Sequence, residues 1–473
     1  MSKLKIYNTE SRQKEEVIPL EAECIRMYTC GPTIYHFAHI GNFRTYVFED
    51  LLRRTLKFFG FRVKQAMNLT DVDDKTIKGA IEEGISLAAF TEPYRQAFFD
   101  DLKTLNIEPV EFYPAATDYI PEMIALIQQL LKKGIAYADS TGNVYFSIKK
   151  FPTYGRLARI HMQDLKIGIS GVFDEYDKEN ISDFVLWKSY DPVRDGTIYW
   201  ESPFGRGRPG WHIECSAMAM KLLGESIDIH VGGIDNMFPH HDNEIAQSEG
   251  CTCVRFVRYW MHAEHLLVDH KKMSKSLGNF YTLRDLMDRG YSGAEVRYML
   301  LQTHYRTQLN FTFEGVDATR KTLQRLSDFI LRLQQLTKKE GLSKTNPEVL
   351  KILERTKTAF LAALADDLNI SVALASLFDM VREIHTLCDK EEVGGLEAQD
   401  LLRFLHEIDK VLGVLPFERK ETALSQELLD ALGKRERARA QKDWKLADEC
   451  RLFIQSHGFE IEDTAEGPRL KKQ

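Results

Sequence analysis

The sequence is poor in cysteine and contains no long apolar run, and each shortage excludes a class of protein. Seven cysteines among 473 residues, with no Cys-x-x-Cys pair, do not fit a disulfide-stabilised scaffold and indicate a reducing compartment. No apolar stretch approaches the roughly 18 residues that a membrane span requires. The first residues lack the apolar region of a signal peptide. We therefore expect a cytoplasmic protein that does not bind a membrane.

An excess of basic residues is also missing. The formal net charge of −7 argues against nonspecific nucleic-acid binding by the whole surface, although it is compatible with one local basic face. The composition, 44% hydrophobic and 28% charged, is that of globular domains. A chain of this length is expected to form about two to four of them.

The segment 29–42 (TCGPTIYHFAHIGN) joins a predicted strand at 24–28 to an amphipathic helix expected from about 45 to 59. A second predicted strand at 61–67 completes a βαβ unit, which indicates a parallel sheet. A strand, a turn with glycine and proline, and a helix N-terminus together form an anion site, because the first N–H groups of the helix are free.

Two motifs suit the phosphates of a nucleotide. His39 and Asn42 lie three residues apart near the expected helix start, so both can face one ligand, although helix capping is an alternative role for so common a pattern. Further on, Lys272 and Lys275 lie in a run of lysines and serines that ends at Gly278 (KKMSKSLG), as a mobile loop over phosphates would. Such lysines can neutralise a triphosphate leaving group. The alternative is an ordinary solvated, charged surface.

Metal ligands are a further candidate feature. His240 and Glu244 lie four residues apart on a predicted helix, which is a recurring arrangement for two ligands of one metal. Cys30 and Cys215 are remote in sequence, and each taken alone fits a small buried hydrophobic residue.

Three other stretches contribute to the expected organisation. The acidic segment 70–75 (TDVDDK) allows a metal site, but it fits better the start of a helix capped by Thr70 or Asp71. After residue 318 the apolar residues follow a 3.6-residue period, and several such helices indicate an all-α bundle. The segment 434–445 carries six basic residues against two acidic ones.

The two phosphate motifs, in this order and in an α/β setting, resemble the HIGH and KMSKS signatures of the class I aminoacyl-tRNA synthetases. Four further segments look like the cysteinyl-tRNA synthetases of that class: 30–35 (CGPTIY), 68–75 (NLTDVDDK), 210–218 (GWHIECSAM) and 238–244 (FPHHDNE). The resemblance runs nearly from one end of the chain to the other.

This resemblance implies an α/β fold with a Rossmann-like parallel sheet, followed by an all-α bundle and a small C-terminal module. The expected domains are the first half of the Rossmann catalytic domain at 1–118, a connective insertion at 119–204, the second Rossmann half at 205–268, a stem-contact region with the lysine loop at 269–317, a tRNA-binding helical bundle at 318–415 and an anticodon-recognition module at 416–473.

The resemblance also implies one zinc ion per subunit, held by Cys30, Cys215, His240 and Glu244, that recognises the substrate thiol. A pocket that measures size and apolarity separates cysteine from serine by only about 1–3 kcal/mol. Zinc binds a thiolate in preference to a hydroxyl and would supply the missing discrimination. Because four protein ligands normally close a zinc site, we expect the substrate thiolate to add as a fifth ligand or to loosen Glu244.

Further residue roles follow from the same resemblance. Trp211 and Thr70 are expected to line the amino-acid pocket, with plain core packing as the alternative for Trp211. Asn42 stands where the class signature has histidine, so it can donate a hydrogen bond but carries no charge. The expected ATP-binding residues are Gly41, Gly233, Asp235, Ser274, Lys275 and Ser276, and those expected to stabilise the reacting phosphates are His39, Asn42, Lys272 and Lys275.

The implied function is cysteine–tRNA ligation by a monomer. ATP with Mg²⁺ would activate L-cysteine to cysteinyl-adenylate with release of pyrophosphate, and the cysteine would then pass to the 3′-terminal adenosine of tRNA(Cys). One alternative is a ligase with the same core that transfers cysteine to a small amine, against which the basic C-terminal segment argues. The other is an RNA-binding paralogue without activity, against which the intact lysines and metal ligands argue.

Overall fold

Two compact units make up the chain, Met1–Leu415 and Pro416–Gln473. The computed structural model describes residues 3–160, 183–274, 277–338, 346–417, 426–464 and 467–472. No helix within these ranges has the length and apolar character needed to cross a membrane.

A parallel sheet of four strands lies at the centre of the first unit. In spatial order its strands are β10 (Val257–Ala263), β9 (Ile227–Gly233), β3 (Cys24–Thr29) and β4 (Arg62–Met67). Strand β3 pairs on one side with β4, the next strand of this sheet in the chain, and on the other side with β9, which comes from much later. Such a switch point leaves a crevice at the carboxyl ends of the strands. The predicted parallel α/β sheet is confirmed.

The other elements of the first unit surround this sheet. In chain order they are β1 (Lys5–Asn8), β2 (Gln13–Glu16), α1 (Ile40–Phe58), α2 (Asp74–Glu83), α3 (Leu87–Thr104), α4 (Ile120–Lys132), β5 (Ala136–Ala138), β6 (Val144–Phe146), β7 (Phe184–Ser189), α5 (Pro192–Asp195), β8 (Gly207–Pro209), α6 (Trp211–Leu223), α7 (Asp242–Thr252), β11 (Leu266–Val268), β12 (Lys271–Lys272), α8 (Leu283–Asp288), α9 (Gly293–Leu301) and β13 (Leu309–Phe311).

Helix α1 begins at Ile40. The sequence analysis predicted a later start, near residue 45. The reason for the earlier start is a capping box in which each residue of a pair bonds the backbone of the other. The N–H of Asn42 donates to Nδ1 of His39 at 3.1 Å, and the N–H of His39 donates to Oδ1 of Asn42 at 3.1 Å. The apolar stripe that the sequence predicted is buried through Leu56, the last of its residues within the helix.

Helix α2 is capped by Asp73, and the prediction of Thr70 or Asp71 as the cap is wrong. Oδ1 of Asp73 accepts hydrogen bonds from two backbone N–H groups of the first turn. Thr70 and Asp71 instead hydrogen-bond to side chains outside this helix. The acidic segment therefore does cap a helix, but through a residue other than the two predicted. Asp73 takes this role because its backbone is extended and directly precedes the helix.

Helix α4 and strands β5 to β8 form a layer beside the parallel sheet. The four strands are antiparallel and follow the order β5–β6–β7–β8. Phe146 and Trp187 of this layer are fully buried in one apolar core with Ile213 of α6 and Trp260 of β10. The last strand, β8, lies beyond residue 204, where the sequence placed the end of the insertion.

Four helices complete the first unit: α10 (Phe313–Leu336), α11 (Pro347–Ala365), α12 (Ile370–Asp389) and α13 (Gly395–Leu412). Their apolar faces are buried against one another, as Phe329, Phe360 and Leu377 show with 1% exposure or less. Asn346 caps α11 by accepting the N–H of Glu348 at 3.0 Å. The predicted all-α bundle is confirmed.

The second unit contains two helices and a β-hairpin. These are α14 (Gln426–Ala440), α15 (Trp444–Ser456), β14 (Phe459–Thr464) and β15 (Gly467–Lys472). Leu428, Ile454 and Phe459 contribute to its small apolar core. The basic segment 434–445 covers the end of α14 and the start of α15. The sequence analysis did not predict the hairpin, because its strands contain few apolar residues.

A buried arginine joins α9 to three other parts of the first unit. Arg297 is fully buried, and its guanidinium donates to Oδ2 of Asp50 at 2.5 Å. It also donates to the backbone oxygens of Leu105, Asn106 and Leu412 at 2.8 to 3.1 Å. One side chain therefore connects α1, the end of α3 and the end of α13.

We expect Arg297→Ala to destabilise the first unit, because Asp50 and three carbonyl oxygens would each lose a buried donor. Removing one partner of a buried ion pair costs about 3–5 kcal/mol. The urea concentration at the unfolding midpoint, followed by tryptophan fluorescence, should fall accordingly. Arg325→Ala, at an exposed position of α10, is the matched control. An unchanged midpoint for Arg297→Ala would contradict this structural role.

Candidate metal and nucleotide site

Four side chains with metal-binding chemistry converge at the carboxyl ends of β3 and β9. Cys30 directly follows β3, Cys215 lies in α6, His240 lies in the turn Met237–His241, and Glu244 lies in α7. One candidate ligand atom from each side chain lies within 4.8 Å of those from the other three. All four residues are almost completely buried.

The backbone explains why these residues meet. The N–H of Cys30 donates to the oxygen of Val231 at 3.1 Å, so the residue after β3 is held against β9. His240 and Glu244 lie four residues apart, and Nε2 of His240 is 3.0 Å from Oε1 of Glu244. Cys215 lies on a helix whose neighbours Ile213 and Ala217 are buried in the same core. Strand pairing and helix packing thus determine the positions of all four.

Neighbouring polar groups hold two of the four side chains. Oε2 of Glu244 is 3.0 Å from Nε2 of His230, and Nδ1 of His240 is 2.9 Å from Nδ1 of His212. Oε1 of Glu244 has no hydrogen bond of acceptable geometry, although it is buried. Buried acceptors normally have a partner, and a coordinated cation would provide one here.

Electrostatics within the cluster oppose the effects of burial. Burial favours the neutral forms, but His230 and His240 lower the pKa of Glu244 to about 2. Burial likewise acts against a charged imidazole, yet Glu244 and Cys215 raise the pKa of His240 to about 10. A hydrogen bond shared with Cys30 lowers the pKa of the Cys215 thiol to about 6, whereas the pKa of Cys30 is raised. The cluster therefore concentrates negative charge that a dication would neutralise.

The sequence analysis did not identify a second set of donors beside the first. Cys30 and Glu244 also lie within 4.8 Å of ring nitrogens of His230 and His241. Nε2 of His241 is 3.4 Å from Sγ of Cys30, and its Nδ1 is 2.8 Å from Nε2 of His262. One signal was available, because His230 lies in strand β9 directly between the apolar residues Ile229 and Val231.

The donor set suits zinc. Zinc takes thiolate, imidazole and carboxylate ligands, whereas magnesium and calcium prefer sites made only of oxygen. Two sulfurs, one imidazole and one carboxylate oxygen are present in the first set. Together with Oε1 of Glu244, which has no hydrogen bond of acceptable geometry, these residues fit a zinc ion.

Backbone contacts join the start of α1 to the segment that directly follows the lysine loop (271–278). The N–H of Ile40 donates to the oxygen of Tyr281 at 3.0 Å, and His39 forms an antiparallel bridge with Thr282. The ring of Phe280 lies edge-on to the imidazole of His39, with 5.2 Å between centroids. The two motifs that the sequence analysis connected with phosphates are therefore adjacent.

The lysine loop itself is partly described. Lys272 is exposed and ends the two-residue strand β12. The N–H of Ser274 donates to Oδ1 of Asn279 at 2.8 Å, and Nδ2 of Asn279 donates to the oxygen of Lys272 at 3.2 Å. Lys275 and Ser276 lie outside the described residues.

Two glycines border the start of α1. A Cβ atom at Gly41 would lie 3.0 Å from Cε of Met273, in the lysine loop. A Cβ atom at Gly233, the last residue of β9, would lie 2.4 Å from Oδ1 of Asp235 and 3.8 Å from Oγ1 of Thr45. The predicted ATP-binding residues Gly41, Gly233 and Asp235 are thus placed around one end of α1.

The two predicted pocket residues, Trp211 and Thr70, lie differently relative to the four candidate ligands. The indole of Trp211 stacks on the imidazole of His240, with 4.2 Å between centroids, and is 39% exposed. Such exposure does not fit the core-packing alternative. Thr70 is fully buried, and its Oγ1 donates to Oε2 of Glu214 at 3.2 Å, next in the chain to Cys215.

Comparisons with protein families agree on the kind of fold and enzyme. Residues 16–321 match the catalytic domain of the class I (C) tRNA synthetases, and residues 359–416 match the DALR domain. A protein of Protochlamydia amoebophila named Cysteine–tRNA ligase is 60% identical over 472 residues, which cover 99% of this chain and 98% of the relative. Another protein of that name, from Chlamydia caviae, is 55% identical over 470 residues, with the same shares covered.

A solved structure shows a similar fold. The Mycobacterium tuberculosis methionyl-tRNA synthetase in complex with methionyl-adenylate aligns with a TM-score of 0.64 and 13% identity. The alignment covers 83% of this chain and 92% of that one. At this identity the likeness concerns the fold alone.

The imidazole of His39 is expected to be neutral at pH 7. Burial lowers its pKa to about 4, although Asp235 opposes this effect. Because this pKa lies below the ordinary value of 6.5, the contribution of His39 to stability is complete above pH 6.5 and is lost as the pH falls towards 4. NMR titration of the protein without ATP, with His39→Asn to assign the resonance, should give a midpoint near pH 4. A midpoint near pH 6.5 would contradict the burial that the structure shows.

Proposed function

The chain belongs to the cysteine–tRNA ligase family of class I tRNA synthetases and is a ligase, and on that premise we propose that it selects L-cysteine through a zinc ion. The zinc ligands would be Cys30, Cys215, His240 and Glu244. The observation that supports this most directly is their convergence in the crevice where α1 also begins. Amino acid and ATP would thus occupy one crevice and react there.

Zinc would supply a soft Lewis acid that accepts the thiolate of cysteine in preference to the hydroxyl of serine. The protein contributes the shape and polarity of the surrounding pocket. Trp211, stacked on His240 and partly exposed, suits an aromatic wall for a small substrate. The hydroxyl of Thr70, buried beside the residue before Cys215, suits a polar contact on another side.

In the proposed first step, the carboxylate of cysteine attacks the α-phosphate of ATP and pyrophosphate leaves. Nδ1 of His39 accepts the N–H of Asn42, so the neutral imidazole carries its proton on Nε2 and can donate it to a phosphate oxygen. Oδ1 of Asn42 accepts the N–H of His39, which leaves the amide nitrogen as a second donor. Lys272, together with Lys275, would neutralise the departing pyrophosphate. Gly233 and Asp235 would bind the adenosine side, and Mg²⁺ would accompany ATP.

In the proposed second step, cysteine passes from the adenylate to the 3′-terminal adenosine of tRNA(Cys). The bundle of α10 to α13 and the unit 416–473 would contact the tRNA, the latter through its basic segment. Transfer to a small amine is the alternative, but such an acceptor needs no second unit with a basic segment. We further propose a cytoplasmic monomer, in keeping with seven cysteines that are all free thiols.

Replacing a zinc ligand should remove cysteine recognition. In ATP–pyrophosphate exchange, the wild-type protein should respond to cysteine far more than to serine or alanine. Cys215→Ser should lower the cysteine response by more than about 100-fold, beyond what changes around a metal site usually cause, and should lower the zinc content.

Cys388→Ser is the matched control, because this buried cysteine lies in α12 of the helical bundle. It should keep both the exchange activity and the zinc content. Near-wild-type activity and zinc content in Cys215→Ser would refute zinc recognition at this site.

Substitutions of Asn42 should separate its capping role from its proposed phosphate contact. Asn42→Asp keeps a side-chain oxygen for the N–H of His39 but places a negative charge beside the phosphates. The thermal unfolding midpoint should therefore hold, whereas the rate of exchange should fall by about 100-fold. Asn42→Ala should lose the cap as well, at a cost of about 1 kcal/mol in stability. Full activity of Asn42→Asp would leave Asn42 with a capping role only.

A further inference from the structure

A chain of buried hydrogen bonds connects the residue after Cys30 with the residue before Cys215. The N–H of Gly31 donates to Oδ1 of Asn68 at 2.9 Å, and Nδ2 of Asn68 donates to Oγ1 of Thr70 at 3.1 Å. Oγ1 of Thr70 donates in turn to Oε2 of Glu214 at 3.2 Å. Asn68, Thr70 and Glu214 are each exposed by 2% or less.

Glu214 is unusual because its other carboxylate oxygen, Oε1, has no partner. Among the described residues, only Glu49 and Glu244 share this feature of a buried carboxylate oxygen without a hydrogen bond. Glu244 belongs to the proposed metal site, and Glu49 lies within α1. Glu214 alone combines an unpartnered oxygen with a bond to the proposed pocket residue Thr70. The network is therefore built around an acceptor that the protein itself does not satisfy.

Cysteine bound to a metal through its sulfur would need a hydrogen-bond acceptor for its α-ammonium group near the metal site. Only two carbon atoms separate the sulfur of cysteine from its α-ammonium nitrogen, so an ammonium group must lie close to any metal that holds the sulfur. Glu214 directly precedes Cys215. Asp71 and Asp73 lie near enough to act on Glu214 electrostatically. Both oxygens of Asp71 accept hydrogen bonds from Thr117, and Oδ1 of Asp73 accepts from the first turn of α2.

We propose that Glu214 is a positioning residue that holds the hydroxyl of Thr70 as an acceptor for the α-ammonium group of the substrate. A hydroxyl has one proton to donate and two lone pairs. Thr70 gives its proton to Glu214 and uses one lone pair for Asn68, which leaves the second lone pair for the ammonium group. This inference rests on the proposed function, since it requires cysteine bound at the metal cluster.

The hydrogen bonds of the network strengthen the same arrangement. A hydroxyl that donates its proton to one acceptor becomes a better acceptor itself, because the hydrogen bonds in a chain polarise one another.

The test compares two ligands that differ only in the ammonium group. L-cysteine has the thiol, the carboxylate and the ammonium group, and 3-mercaptopropionate lacks the last. Binding of both to zinc-loaded wild-type protein, to Glu214→Met and to Glu214→Gln is measured by calorimetry, and zinc content by atomic absorption. We expect Glu214→Met, which cannot accept the proton of Thr70, to weaken cysteine binding about tenfold, to leave 3-mercaptopropionate binding unchanged and to retain zinc. Glu214→Gln keeps an acceptor oxygen and should bind cysteine better than Glu214→Met does.

Three further variants keep the outcome interpretable. Glu225→Gln removes an exposed carboxylate just beyond α6 and should leave both affinities unchanged. Thr70→Ser keeps the hydroxyl and should bind cysteine nearly as well as the wild type, whereas Thr70→Val should show the same selective loss as Glu214→Met. If Glu214→Met weakened both ligands equally, or neither, the inference would be overturned. If wild-type protein bound cysteine without any dependence on zinc, the proposed function would fail instead.

Discussion

The arrangement of the first unit depends on keeping two sulfurs, an imidazole and a carboxylate together in a buried place. Groups of this kind lose hydration on burial, and Oε1 of Glu244, although 3.0 Å from Nε2 of His240, has no hydrogen bond of acceptable geometry. A cation coordinated among them would offset this cost. The cluster lies at the switch point of the parallel sheet, where β3 pairs with β4 on one side and with β9 on the other. At this point two strands and two helices end or begin together, so ligands remote in sequence can meet.

The same switch point brings the two motifs proposed to bind phosphates close to the proposed amino-acid pocket. Cys30 and His39 belong to one connection between β3 and α1, and the backbone of that connection bonds to the end of the lysine loop at Tyr281 and Thr282. A shift of α1 would therefore move the proposed ATP contacts and the proposed metal ligand together. This coupling provides the positioning that a reaction without a protein nucleophile requires.

Much of this arrangement could be predicted from the sequence, and the omissions have physical causes. The apolar periodicity of α1 and of the bundle, and the alternation of strand and helix, indicated the correct fold class. The start of α1 was predicted too late, because His39 and Asn42 satisfy the first N–H groups with side chains that carry no apolar signal. The cap at Asp73 was missed among several acidic residues that suit the role equally. Gly31, Asn68 and Glu214 form a network only in three dimensions, so no spacing in the sequence could reveal it.

The neutral state of His39 has a consequence for charge at the phosphates. With burial holding the pKa of His39 near 4, neither His39 nor Asn42 carries a positive charge at pH 7, and both act as hydrogen-bond donors of fixed direction. In the proposed reaction, the charge that develops on departing pyrophosphate would then be neutralised by cations from elsewhere, namely Mg²⁺ and the lysine loop. Asparagine at position 42 thus places a second neutral donor beside the neutral imidazole of His39, and its oxygen additionally caps α1.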